Sequence, residues 1–94
     1  MQKEKISELI KSYINEKIDT DVFCYQYEDI FVIADGDESI TVELENLLMS
    51  LYDNTIKRYS PYENDIKSYQ FYIDENSVKS DVIEFYNVNK DKFK

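Results

Sequence analysis

The 94-residue sequence has no histidine and no tryptophan, and it holds one glycine, one proline and one cysteine. The missing histidine removes the commonest general base and the commonest metal ligand. A single glycine cannot build a loop that cradles phosphate. Cys24 has no partner for an internal disulfide and reads as a small, partly buried hydrophobe. No apolar run approaches membrane-spanning length. None follows Met1-Gln2-Lys3-Glu4-Lys5 as a signal peptide would require, so the expected compartment is the cytoplasm. Positive charge is also scarce: 11 bases face 20 acids, a net charge of −9. Binding to nucleic acid or to an anionic membrane is therefore not expected, because phosphate contacts need clustered Lys and Arg. These absences point to an acidic domain that is not an enzyme and carries no cofactor and no metal.

Hydrophobic residues make up 43% and aromatic residues 15% of the chain, too many for a disordered tail. A chain of this length buries roughly 60–65% of its unfolded surface, enough for one core in a single domain over residues 1–94. Ile6, Leu9, Ile10, Tyr13 and Ile14 recur at i, i+3, i+4, i+7 and i+8, predicting a first helix over 4–17 with one buried face. Asp19 or Thr20 caps a second helix that runs to about residue 34. Phe23, Tyr27, Ile30 and Ala34 line its buried side, with Phe31 beside them, and Gly36 stops it. Ser39 caps a third helix with Ile40, Leu44, Leu47, Leu48 and Leu51 inward, extended to Tyr59 and ended by Pro61. Residues 62–76 read as an irregular connection packed on the core by Tyr59, Tyr62, Tyr69 and Tyr72. Some of these rings are left outside as interface anchors. Ser77 caps a last helix with Val78, Val82, Phe85 and Tyr86 inward, fraying into the basic end at 90–94. Strand alternation is nearly absent. The expected class is all-α, a four-helix up-down bundle with an irregular connection before the last helix.

Charge placement says more than total charge. From Ile18 to Ile56, 39 residues, there is no Lys or Arg, while ten acids fall in the same window. Helical geometry puts Asp21, Tyr25, Glu28, Val32 and Asp35 on one stripe, opposite Phe23. Glu38, Glu43 and Asp53 form a second ring, with Val42 and Met49 as apolar neighbours on the third helix. Large apolar side chains among like charges suit a binding surface in which acids steer and Tyr or Met anchors. Scattered surface apolar residues are common on solvated faces. A long window without a single base favours the binding reading.

Catalytic and metal patterns fail on inspection. Asp35-x-Asp37-x-Ser39 begins like a calcium loop, but the sixth position is Ile40 and the twelfth Asn46, where Gly and Glu belong. Carboxylates abound without a pair marked by spacing, and so do Ser and Lys. Tyrosines that would stack nucleobases would meet phosphate repulsion on this surface.

In the order and spacing of its elements the chain resembles the immunity proteins of colicin D and its relatives, the bacterial self-protective colicin-like immunity family. The resemblance rests on Ile6 to Ile14, Glu16-Lys17-Ile18, Phe23 and Gly36. Further on it rests on Arg58-Tyr59-Ser60-Pro61 and the run from Tyr72-Ile73-Asp74 to Val78-Lys79, so it covers most of the chain. It implies a four-helix bundle that binds the catalytic domain of a cognate toxin, in the colicin D case a ribonuclease that cuts tRNA in the anticodon loop. The partner would be a cationic nuclease domain whose nucleic-acid cleft the acidic surface occupies. In the family, acids flank the proline that ends the third helix. Here Ser60 and Tyr62 flank it, Lys57 and Arg58 precede it, and only Glu63 and Asp65 are acidic nearby. The family's contact residues at those positions therefore do not carry over. An alternative is a small acidic adaptor or regulator that binds a basic host protein without any toxin.

Overall fold

A computed structural model describes residues 2–34 and 40–93, with the side chains of 2 and 32–34 excepted. Its five α-helices are α1 (Gln2–Ile14), α2 (Thr20–Ala34), α3 (Val42–Asn54), α4 (Glu63–Ser68) and α5 (Glu75–Asn89). Two 3-10 turns, Ile56–Arg58 and Lys90–Phe93, follow α3 and α5. No strand occurs among the described residues; one parallel bridge joins Tyr59 to Ile73. The all-helical class stands, with five helices where four were expected.

The apolar stripe of α1 is buried as its spacing requires: Ile6, Leu9, Ile10 and Tyr13 face the core, and Ile14 packs against it. They meet Phe23 and Tyr27 of α2, Leu44, Leu48 and Leu51 of α3, and Val78 and Val82 of α5. Helix α1 stops without glycine. Glu16 adopts φ 61, its N–H bonds to the Tyr13 carbonyl at 3.0 Å, and the Lys17 N–H reaches the Ser12 carbonyl at 2.9 Å. This pair of bonds is a Schellman closure. A side chain in the left-handed region costs about 1–2 kcal/mol. Part of that cost is offset outside the helix, where the Glu16 carboxylate holds Lys79 of α5 at 3.0 Å.

Three of the helices, α2, α3 and α5, start on side-chain caps. Asp19 accepts from the Val22 N–H at 2.9 Å, as expected for α2. For α3 the cap is Thr41, which accepts from the Leu44 N–H at 3.1 Å, while Ser39 and Gly36 lie outside the described residues. For α5 the cap is Asp74, accepting from the Ser77 N–H at 2.9 Å, so the helix begins before the expected Ser77. That bond holds the Asp74 carboxyl below its usual range.

The third helix is shorter than its apolar pattern predicts. It ends at Asn54 because Thr55 leaves helical geometry (φ −133, ψ −65). The Thr55 hydroxyl donates to Asp81 of α5 at 3.1 Å, and the 3-10 turn then carries Ile56 into the core. Nor is the stretch from 62 to 76 an irregular connection throughout. It contains α4, and its last part pairs with residues 58–60: the Ile73 N–H reaches the Arg58 carbonyl at 2.8 Å and the Ser60 N–H the Ile73 carbonyl at 3.2 Å. Ser60, ahead of Pro61 and outside any helix, is buried and donates to Asp65 at 2.8 Å, tying α4 to the turn.

Candidate partner-binding surface

A ladder of aromatic rings fixes α2 in place. Tyr13 stacks on Phe23 at 4.2 Å, Phe23 meets Tyr27 at 5.8 Å, Tyr27 meets Phe31 at 6.1 Å, and Phe31 meets Tyr52 of α3 at 5.7 Å. The 3.6-residue period that turns Phe23, Tyr27 and Phe31 toward these partners turns Asp21, Tyr25 and Glu28 outward. The buried Tyr27 hydroxyl donates to the Leu48 carbonyl at 2.8 Å. Together with Glu28 beside Tyr52 and Asp21 beside Tyr59, this makes α2 and α3 antiparallel.

On the outer side, two tyrosines approach two of the acids. The Tyr59 hydroxyl donates to Asp21 Oδ1 at 2.5 Å, and the Tyr52 hydroxyl donates to Glu28 Oε1 at 3.2 Å. Burial, followed by the neighbouring carboxylate, raises both phenols above their ordinary value, so at neutral pH they stay neutral donors. Asp21 and Glu28 themselves are exposed. Tyr25 stands between them, 74% exposed. Cys24, half-buried on the same helix, senses the local field: burial first, then the Asp21 and Glu28 charges, pushes its thiol up to about 12. That matches its reading as an inert small hydrophobe.

Asp53, next to Tyr52 on α3, adds a third exposed carboxylate, with Met49 one turn earlier, also exposed. Asp21, Glu28, Asp29 and Asp53 form no ion pair with any described residue. Glu43 sits elsewhere. It is bound to Lys92 at 3.0 Å, on the side of α3 turned toward the end of the chain. The Val32 side chain, Asp35 and Glu38 lie outside the described residues. Of the sequence-derived residues, the structure thus brings Asp21, Tyr25, Glu28 and Asp53 to one region.

Sequence reasoning missed Tyr52 and Tyr59 as the donors that seat Glu28 and Asp21. Both are tyrosines at helix-compatible spacing, and nothing in the sequence pairs them with a particular acid. Of the four rings expected to pack the connection on the core with some left outside, Tyr59 and Tyr72 are half-buried, and Tyr62 and Tyr69 are the ones left outside. Arg58 holds this segment, donating to the Phe71 carbonyl at 2.7 Å with its guanidinium over the Phe71 ring.

Among the described residues no group of three or more Cys, Asp or Glu side chains is placed to hold a metal ion, and no helix is long and apolar enough to cross a membrane. Against known proteins, the chain matches no family model, no curated protein and no solved structure.

Proposed function

We propose that the chain is a cytoplasmic, non-catalytic immunity protein, which binds the cationic catalytic domain of a cognate bacterial toxin and blocks it. By resemblance to the colicin D immunity family, the toxin is a tRNA-cutting ribonuclease. The observation that carries the reading is the surface of α2 and α3. There, carboxylates without ion-pair partners among the described residues lie near the exposed Tyr25 and Met49, a run of negative charge like that of a phosphate chain. A nuclease that grips tRNA must present a basic cleft, and an anionic protein face competes for it. Acids give the on-rate, and the apolar side chains supply anchors that dehydrate on contact.

The test uses the protein recovered bound to the chain from its native host, assayed for tRNA cleavage with and without the chain. Inhibition that weakens at least about tenfold in the Glu28→Lys, Asp53→Lys double variant, with unchanged helical circular dichroism, is expected. A basic partner without nuclease activity would favour the adaptor reading. Full inhibition by the double variant would place the contact elsewhere.

A further inference from the structure

Helices α3 and α5 run antiparallel with an open groove between, tied at one end by Thr55, just past α3, and at the other by Lys92 of the 3-10 turn that follows α5. At one end Thr55 donates to Asp81 at 3.1 Å; at the other Glu43 pairs with Lys92 at 3.0 Å. Glu43 in the first turn of α3 and Thr55 just past its end are twelve residues apart, so the two ties are separated by about 18 Å. Between them lies a groove of about 420 Å³. Each helix turns an i, i+3/i+4, i+7 stripe into it: Leu47, Leu51 and Asn54 from α3, and Asp81, Phe85 and Val88 from α5. Val88 is 73% exposed, and the carboxylate of Glu84 on the rim has no ion-pair partner among the described residues. Tyr52, which faces α2, lies on the far side of α3 from this stripe, so the groove is separate from the surface assigned to the toxin.

We propose that this groove receives a cationic amphipathic helix of another protein. Between the two walls the apolar side chains Leu47, Leu51, Phe85 and Val88, set among polar neighbours over about two turns, match one apolar helix stripe. Charge decides which helix. The rim carboxylates Asp81 and Glu84 select lysine or arginine beside that stripe and repel an acidic one. A second copy of this chain is disfavoured as the guest, because each copy carries a net charge of −9. The chain's own basic end does not serve, because Phe93 anchors it in the core against Phe85 and Tyr86.

The test is titration of the whole protein with a synthetic helix of about four turns. The helix carries leucines at i, i+3, i+4 and i+7 with lysines flanking them, and is read by amide chemical-shift changes and by anisotropy. Expected are shifts at Leu47, Leu51, Phe85 and Val88, and affinity at least about tenfold lower for Glu84→Lys and for Val88→Asp. Both positions are exposed, and circular dichroism checks that each variant folds. The Tyr25→Ala, Glu28→Lys variant, altered only on the α2 face, should bind the helix as the parent does. Equal binding of a glutamate-flanked helix, shifts centred on α2, or a groove already closed by self-association in sedimentation would each overturn the proposal.

Discussion

Removing one oxygen atom tests how α2 and α3 are joined. In Tyr27→Phe the ring remains, so the contacts with Phe23 and Phe31 persist and no cavity opens. What is lost is the hydroxyl's bond to the Leu48 carbonyl at 2.8 Å. That carbonyl lies inside α3 and keeps its ordinary helical donor, so no buried acceptor is orphaned. The cost is then the net worth of one neutral hydrogen bond, about 1 kcal/mol, and not the 3–5 kcal/mol of deleting a buried ring. In urea, with a slope of about 1 kcal/mol per molar for so small a chain, the midpoint should fall by about 1 M. The melting temperature should fall by about 4–8 °C. Helical circular dichroism follows both. A midpoint unchanged within about 0.2 M would mean that this bond does not join the helices in solution. A loss near 3 kcal/mol or more would mean that ring packing depends on the hydroxyl, contrary to the reasoning.

Three further expectations follow from the same geometry. Cys24 should react slowly with iodoacetamide at pH 8 in the native protein and rapidly in urea, because its thiol holds its proton up to about 12. The folded chain holds this proton more tightly than the unfolded one does. The associated stability is therefore complete below the ordinary thiol value of 9.0 and is lost as pH rises from there toward 12. Raised Tyr27 and Tyr59 act in the same direction above 10.0. Urea midpoints should hold steady to pH 9 and then decline, less steeply in Cys24→Ala. Glu16→Gly should raise the urea midpoint, since relief of the left-handed backbone outweighs an exposed ion pair worth about 0–1 kcal/mol; a lowered midpoint would refute the strain.

The sequence carried the core well where periodicity was strong. The stripe from Ile6 to Tyr13, the pair Phe23 and Tyr27, and Val78 with Val82 are all buried where a 3.6-residue spacing puts them. It failed where local geometry departs from preference. Glu16 closes α1 in a conformation that favours glycine, so no residue type announced the stop. The apolar spacing of α3 continues through Ile56, but Thr55 breaks the backbone to reach Asp81, a residue 26 positions away that no local pattern reveals. On the surface, helical spacing placed Asp21, Tyr25 and Glu28 together. It put Glu43 with them on charge alone, and the fold carries Glu43 to Lys92 instead.

The ring ladder has a bearing on how such a surface changes over generations. The gap between the carboxylates of α2 and Asp53 of α3 is spanned by Phe31 and Tyr52, not by direct backbone approach. Exchanging one of these half-buried rings for a smaller one would draw the charges of the two helices closer while the carboxylates themselves stayed the same. Change in the spacing of those charges can thus begin from within, at rings that carry no charge of their own.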